Sequence, residues 1–175
     1  MAGKTPAKAV RAFTEPIQEA LSCFAIGKVT ADSYKPERPG VLTFNRNKPT
    51  TLSGRAKVAI DILMRYVIVP HEDKTKGPWK VTITGWIYQL HDRSGDLIAG
   101  YHWHPNLTPD ILHPHVHVVD DKTHFPTGRV LVEDVLQLAI EHGAKPIDAG
   151  AWGSVSTKNR TNFEKGATWG TAPGA

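Results

Sequence analysis

Between Trp79 and His104 the chain spells two strands and the turn that joins them, and this hairpin limits the fold more than any other stretch. Trp79-Lys80-Val81-Thr82-Ile83-Thr84-Gly85-Trp86-Ile87-Tyr88 is rich in aromatic and β-branched residues, which suit a pleated, half-buried surface. Asp92-Arg93-Ser94-Gly95-Asp96 reads as a turn, and Leu97 to His104 as the returning strand. The preceding segment, residues 56–69, fits two periods. Val58, Ile60 and Ile62 alternate with polar or small residues, whereas Ile60, Leu63, Met64 and Val67 sit at helical spacing. Its β-rich end, Tyr66-Val67-Ile68-Val69, favours a long strand. Further strands are expected around Val41–Phe44 and at His115–Val119.

Helical signals are fewer. Residues 131–142 carry an apolar stripe of Val132, Val135, Leu136, Leu138, Ala139 and Ile140. Glu133 and Asp134 sit in its first turn and Gly143 follows as a stop. A shorter helix is expected over Thr14–Ser22, with Thr14 as its cap. The predicted fold is α+β, an antiparallel meander of about four to five strands packed with one main C-terminal helix. Residues 1–12 read as a flexible basic arm, 13–147 as a single domain and 148–175 as a Gly/Ser/Thr-rich tail. Within that tail Trp152, Phe163 and Trp169 are the residues able to dock.

A chain of 175 residues with 40% apolar and 22% charged residues can bury a real core. No apolar run approaches the ~18 residues of a membrane helix, and Met1–Val10 makes a poor secretory signal. Cys23 stands alone, so no intrachain disulfide forms, which suits a reducing, cytoplasmic setting. The net charge of +4 permits an acidic partner such as RNA or a nucleotide, but the basic residues are scattered. No GxxxxGK or GxGxxG phosphate loop, CxxC pair or HExxH metal motif is present.

Six histidines lie between His102 and His124. In Tyr101-His102-Trp103-His104-Pro105 two of them are spaced by two, so on a strand His102 and His104 share a face. His113-Pro114-His115-Val116-His117 repeats the pattern, with His115 and His117 on one face. Directly opposed residues on neighbouring strands have Cβ atoms roughly 4.5–5.5 Å apart. Four imidazoles would then converge, either on zinc or another divalent transition metal or as an acid/base set at a phosphoester. The alternative is a polar sheet face filled by stacked or solvated rings. Asp110, Asp120 and Asp121 are near enough in sequence to orient an imidazole, or are ordinary turn residues. His113 and His124 are candidate substrate-side residues. The turn Thr127-Gly128-Arg129, just ahead of a helix, offers backbone N–H groups and a guanidinium to a phosphate, unless Gly128 merely supplies a turn and Arg129 is solvated.

The order Gly-Pro-Trp-Lys-Val (77–81), Tyr-His-Trp-His-Pro (101–105), Pro-His-Val-His-Val (114–118) and His-Phe-Pro-Thr-Gly-Arg-Val (124–130) before an acidic helix resembles a family of uncharacterised actinobacterial proteins, over roughly residues 56–147. More distantly it resembles the TumE-type toxins of toxin–antitoxin pairs. That resemblance implies a small cytoplasmic protein acting on RNA, with an antitoxin-like protein partner. His113-Pro-His-Val-His-Val-Val also spells the histidine-triad pattern of nucleotide hydrolases and transferases, in which His115 would be the nucleophile. Pro114 departs from that pattern by occupying its first apolar position.

The functional expectation is a histidine-centred, metal-dependent, toxin-like enzyme that cleaves a phosphoester of RNA or a nucleotide, a nuclease or a nucleotide phosphohydrolase. The alternatives are a non-catalytic zinc-binding or protein-interaction module, a histidine-triad enzyme, and a structural protein that self-associates into a homo-oligomer through its sheet edges.

Overall fold

The computed structural model describes residues 2–105, 112–118 and 123–166. The elements run β1 (Ala2–Gly3), α1 (Pro6–Ser22), β2 (Val29–Ala31), β3 (Gly40–Phe44), β4 (Thr50–Thr51), β5 (Ala59–Pro70), β6 (Trp79–His91), β7 (Leu97–Trp103), β8 (His115–His117), β9 (His124–Pro126), α2 (Val132–Glu141) and α3 (Ala149–Gly166). The strands form one sheet in the order β2-β3-β5-β6-β7-β8-β9, with β1 added to β6 and β4 to β5. Every ladder is antiparallel among the described residues. The fold is the expected α+β, built on the expected β5–β6–β7 meander.

Alternation gives the sheet two unlike faces. Ile60, Ile62, Met64 and Tyr66 of β5 and Trp86, Tyr88 and Leu90 of β6 are buried together. Against them pack Val10, Ile17, Ala20 and Leu21 of α1 and Val132, Val135, Leu136 and Ala139 of α2. Trp86 lies opposite Trp103 in register, with ring centroids 4.8 Å apart, so the aromatic strip extends onto β7. The odd-numbered residues of β5 up to Arg65, namely Ala59, Asp61, Leu63 and Arg65, take the other face.

Four short strands, β1, β2, β4 and β9, add to the four to five expected, and two segments expected to lack structure are helical. Most of the expected basic arm is the first half of α1. Thr5, not Thr14, is the cap: its side chain accepts from the Lys8 amide at 3.2 Å, and Pro6 follows at the first helical position. Pro16 sits inside the helix, and the Ala9, Val10, Ile17, Ala20 and Leu21 face is what holds the helix across it. Residues 149–166 of the expected tail are also helical. Asp148 accepts from the Ala151 amide at 3.0 Å, and Trp152, Val155, Asn159 and Phe163 recur at helical spacing. Trp152 packs edge-on against Phe24 at 4.9 Å, and Asn159 Nδ2 donates to the Pro16 carbonyl and to Glu133 Oε1. Tertiary docking thus overrides a composition poor in helix formers. Trp169 lies outside the described residues. No described helix is long and apolar enough to cross a membrane.

Candidate metal centre

The strand register decides which histidines meet. His102 of β7 lies opposite His115 of β8, and His117 lies opposite His124 of β9. Between them, Tyr101 pairs with Val116 and Val116 with Phe125. The imidazoles therefore share the face away from the helices, and the residues between them turn toward the aromatic core. His104, two residues beyond His102, falls on the same face.

The rings form a continuous cluster. Centroids of His102 and His117 are 4.4 Å apart, those of His104 and His115 are 4.9 Å apart, and those of His115 and His117 are 5.0 Å apart. His124 stands 4.9 Å from His115 and 4.3 Å from His117. Within this group, one ligand nitrogen from each of His102, His115 and His117 lies within 4.8 Å of the other two. Nitrogens bound to a tetrahedral zinc at ~2.05 Å would be about 3.4 Å apart, so small ring rotations would close the set.

Burial and hydrogen bonding prepare these rings for a cation. His115 and His117 are buried, at 2% and 3% exposure. His115 Nδ1–H donates to the His113 carbonyl at 3.1 Å, which selects the tautomer with its lone pair on Nε2. That Nε2, and Nε2 of His102, are buried without a hydrogen-bond partner. A buried acceptor left bare is costly in a core but suits a metal ligand. Gly100 leaves room for the rings: a Cβ there would lie 3.2 Å from His102 Nε2, tight enough to make that ring shift, and 3.7 Å from His117 Cβ.

Electrostatics act in the same direction. Burial, then the rings of His117, His115, His104 and His124, push His102 down to about 4. His115 is also lowered, chiefly by burial and by the neighbouring rings, against the opposing pull of the His113 carbonyl. Both rings are held in the neutral, metal-binding form at neutral pH.

All four of the paired histidines expected to converge do so, and His124 joins them. His124, a candidate substrate-side residue, lies on a third strand, β9. Its sequence signal is the alternation His124-Phe125-Pro126, obscured by the proline. His113 is exposed and contributes its backbone carbonyl to the site. Asp110, Asp120 and Asp121 lie outside the described residues.

Of the expected anion turn, Arg129 points away from the imidazoles. Arg129 Cζ stands 4.5 Å from the Phe163 ring centroid and 5.9 Å from that of Trp86, on the helix-covered face. The chain leaves the edge strand there to reach α2 and carries Arg129 across, where aromatic faces compensate its lost hydration. The start of α2 is occupied too: Asp134 Oδ2 accepts from the Leu131 amide at 2.7 Å. Thr127 donates its amide to the Pro114 carbonyl at 2.8 Å, and its Oγ1 is buried without a hydrogen-bond partner. Gly128 faces open space and has no positive φ.

No family model matches this chain, and neither does any curated protein or solved structure, so the functional reading rests on these residues.

Proposed function

We propose that His102, His115 and His117 hold a divalent transition metal, zinc in the simplest case, and that the centre hydrolyses a phosphoester of RNA or a nucleotide. The supporting observation is the convergence of three imidazole nitrogens within 4.8 Å, on two buried rings and one half-buried ring. A chelate of three imidazoles matches catalytic rather than closed structural zinc sites, since one position is left for water or substrate. A zinc ion bound there would supply Lewis acidity toward a phosphoryl oxygen and make a water more acidic. His104 and His124 flank the triad, half-buried and exposed respectively, where they can pass protons between substrate and solvent. The basic charge of the chain favours an anionic substrate.

Histidine-triad chemistry is the weaker reading. It needs His115 to attack a phosphorus, yet His115 is 2% exposed and its Nε2 is out of contact with solvent. In the toxin-like version of the proposal, a protein partner would restrain the activity and would co-purify with the chain.

Metal analysis of tag-free protein should find one zinc per chain. His115→Ala and His117→Ala should lose it together with activity on a panel of RNAs and nucleotides. His104→Ala and His124→Ala should keep the metal and lose about 100-fold in turnover. Loss of metal in all of these variants without any phosphoester activity in the parent would leave a structural site instead.

A further inference from the structure

The cation expected at the site, Arg129, lies across the sheet, but another arginine occupies the imidazole face. Arg65 is exposed on β5 and pairs directly with Gly85 of β6. It is the last residue before the register shifts between Arg65 and Tyr66. Irregularities of this kind commonly re-aim a side chain next to a site. A Cβ on Gly85 would lie 2.9 Å from the Trp103 carbonyl oxygen, 3.9 Å from Arg65 Cδ and 3.9 Å from His104 Cα. The close approach of β7 thus requires a glycine. The space over that glycine is taken by the stem of Arg65, which leans across β6 toward His104. Among the described residues Arg65 forms no ion pair.

Two strand spacings of about 4.8 Å separate the backbone of Arg65 from that of His104. Arg65 Cδ already lies over Gly85, and an extended arginine side chain is long enough to bring its guanidinium within reach of the histidine cluster. A guanidinium offers parallel N–H donors that match two oxygens of a phosphoryl group. We propose that Arg65 is the anion-binding residue of the histidine centre, receiving two oxygens of a substrate phosphoryl group over Gly85 beside His104. This rests on the reading of the centre as a phosphoester hydrolase and names the residue that positions its substrate.

The probe is phenylphosphonate, titrated calorimetrically into zinc-loaded protein, with benzoate as the carboxylate counterpart. Arg65→Gln should weaken phenylphosphonate about tenfold, with zinc content and Tm unchanged, and Arg65→Lys should recover part of the loss. Equal phenylphosphonate affinity in the parent and Arg65→Gln overturns the proposal. So does benzoate binding as tightly as phenylphosphonate. If the chain takes up no zinc, the hydrolase reading fails separately. The same titration of the metal-free chain then still decides Arg65, by whether Arg65→Gln weakens phenylphosphonate.

Discussion

His102 shares its face with four other imidazoles, and its titration reports on the whole cluster. In the unfolded chain its ring has the ordinary value of 6.5, and in the fold it sits near 4, so the unfolded state binds the proton more tightly. Its stabilising contribution is complete above about 6.5 and is lost as pH falls through the window down to about 4. Thermal melts in chelator should show Tm falling between pH 7.5 and 4.5, and His102→Gln should flatten that fall. A Tm independent of pH in the parent would contradict it. Glu133 runs the other way. Burial raises its carboxyl, so it weakens the fold as pH rises, and Glu133→Gln should raise Tm at pH 8. At this scale the sequence was informative where strand period governs, hence His102, His104, His115 and His117. Arg129 was not legible because its face depends on how the chain crosses to α2, and Arg65 carried no signal because only strand pairing sets it opposite Gly85 on the imidazole face.

Elements were legible in proportion to how much of their stability is local. The β5–β6–β7 meander and α2 carry their own period and caps, and they lie where expected. α3 does not. Gly150 and Gly153 weaken it intrinsically, and it is held by Trp152 against Phe24, by Asn159 between Pro16 and Glu133, and by Arg160 on Asp134 at 2.6 Å. The exposed Lys158–Glu19 pair at 2.8 Å adds little. Trp152→Ala should therefore cost about 3 kcal/mol in a denaturant titration, by removing a large ring that is 8% exposed. Lys158→Ala should stay within about 0.5 kcal/mol of the parent. A Trp152→Ala variant as stable as the parent would mean that α3 is not docked as described.

Across the whole molecule, support is uneven. β5 and β6 are twelve and thirteen residues long and back onto the helices, whereas β8 and β9 have three residues each. β9 is also an edge, with Phe125 52% exposed. A metal joining β7 to β8 would tie the weakly supported end of the sheet to the strong one. Chelation should then speed hydrogen exchange at the Val116 and Phe125 amides and leave those of Ile62 and Tyr88 unchanged. A uniform change across the sheet would point instead to global destabilisation, and none at all to a vacant centre. The sheet and the histidine cluster were legible in the sequence and this imbalance was not, because short strands carry too few residues to show a period. The alternation of His102 with Tyr101 and Trp103, and of His115 and His117 with Val116, has one more consequence. The imidazole cluster and the core are assigned by parity along the same few residues. A point substitution can remove an imidazole while sparing the core, or the reverse. A single inserted residue within β7 or β8 would exchange the two sets, turning imidazoles into the apolar interior and aromatic rings into water. Descendants of this chain should therefore vary by replacement in these strands, and change length only in the loops between them.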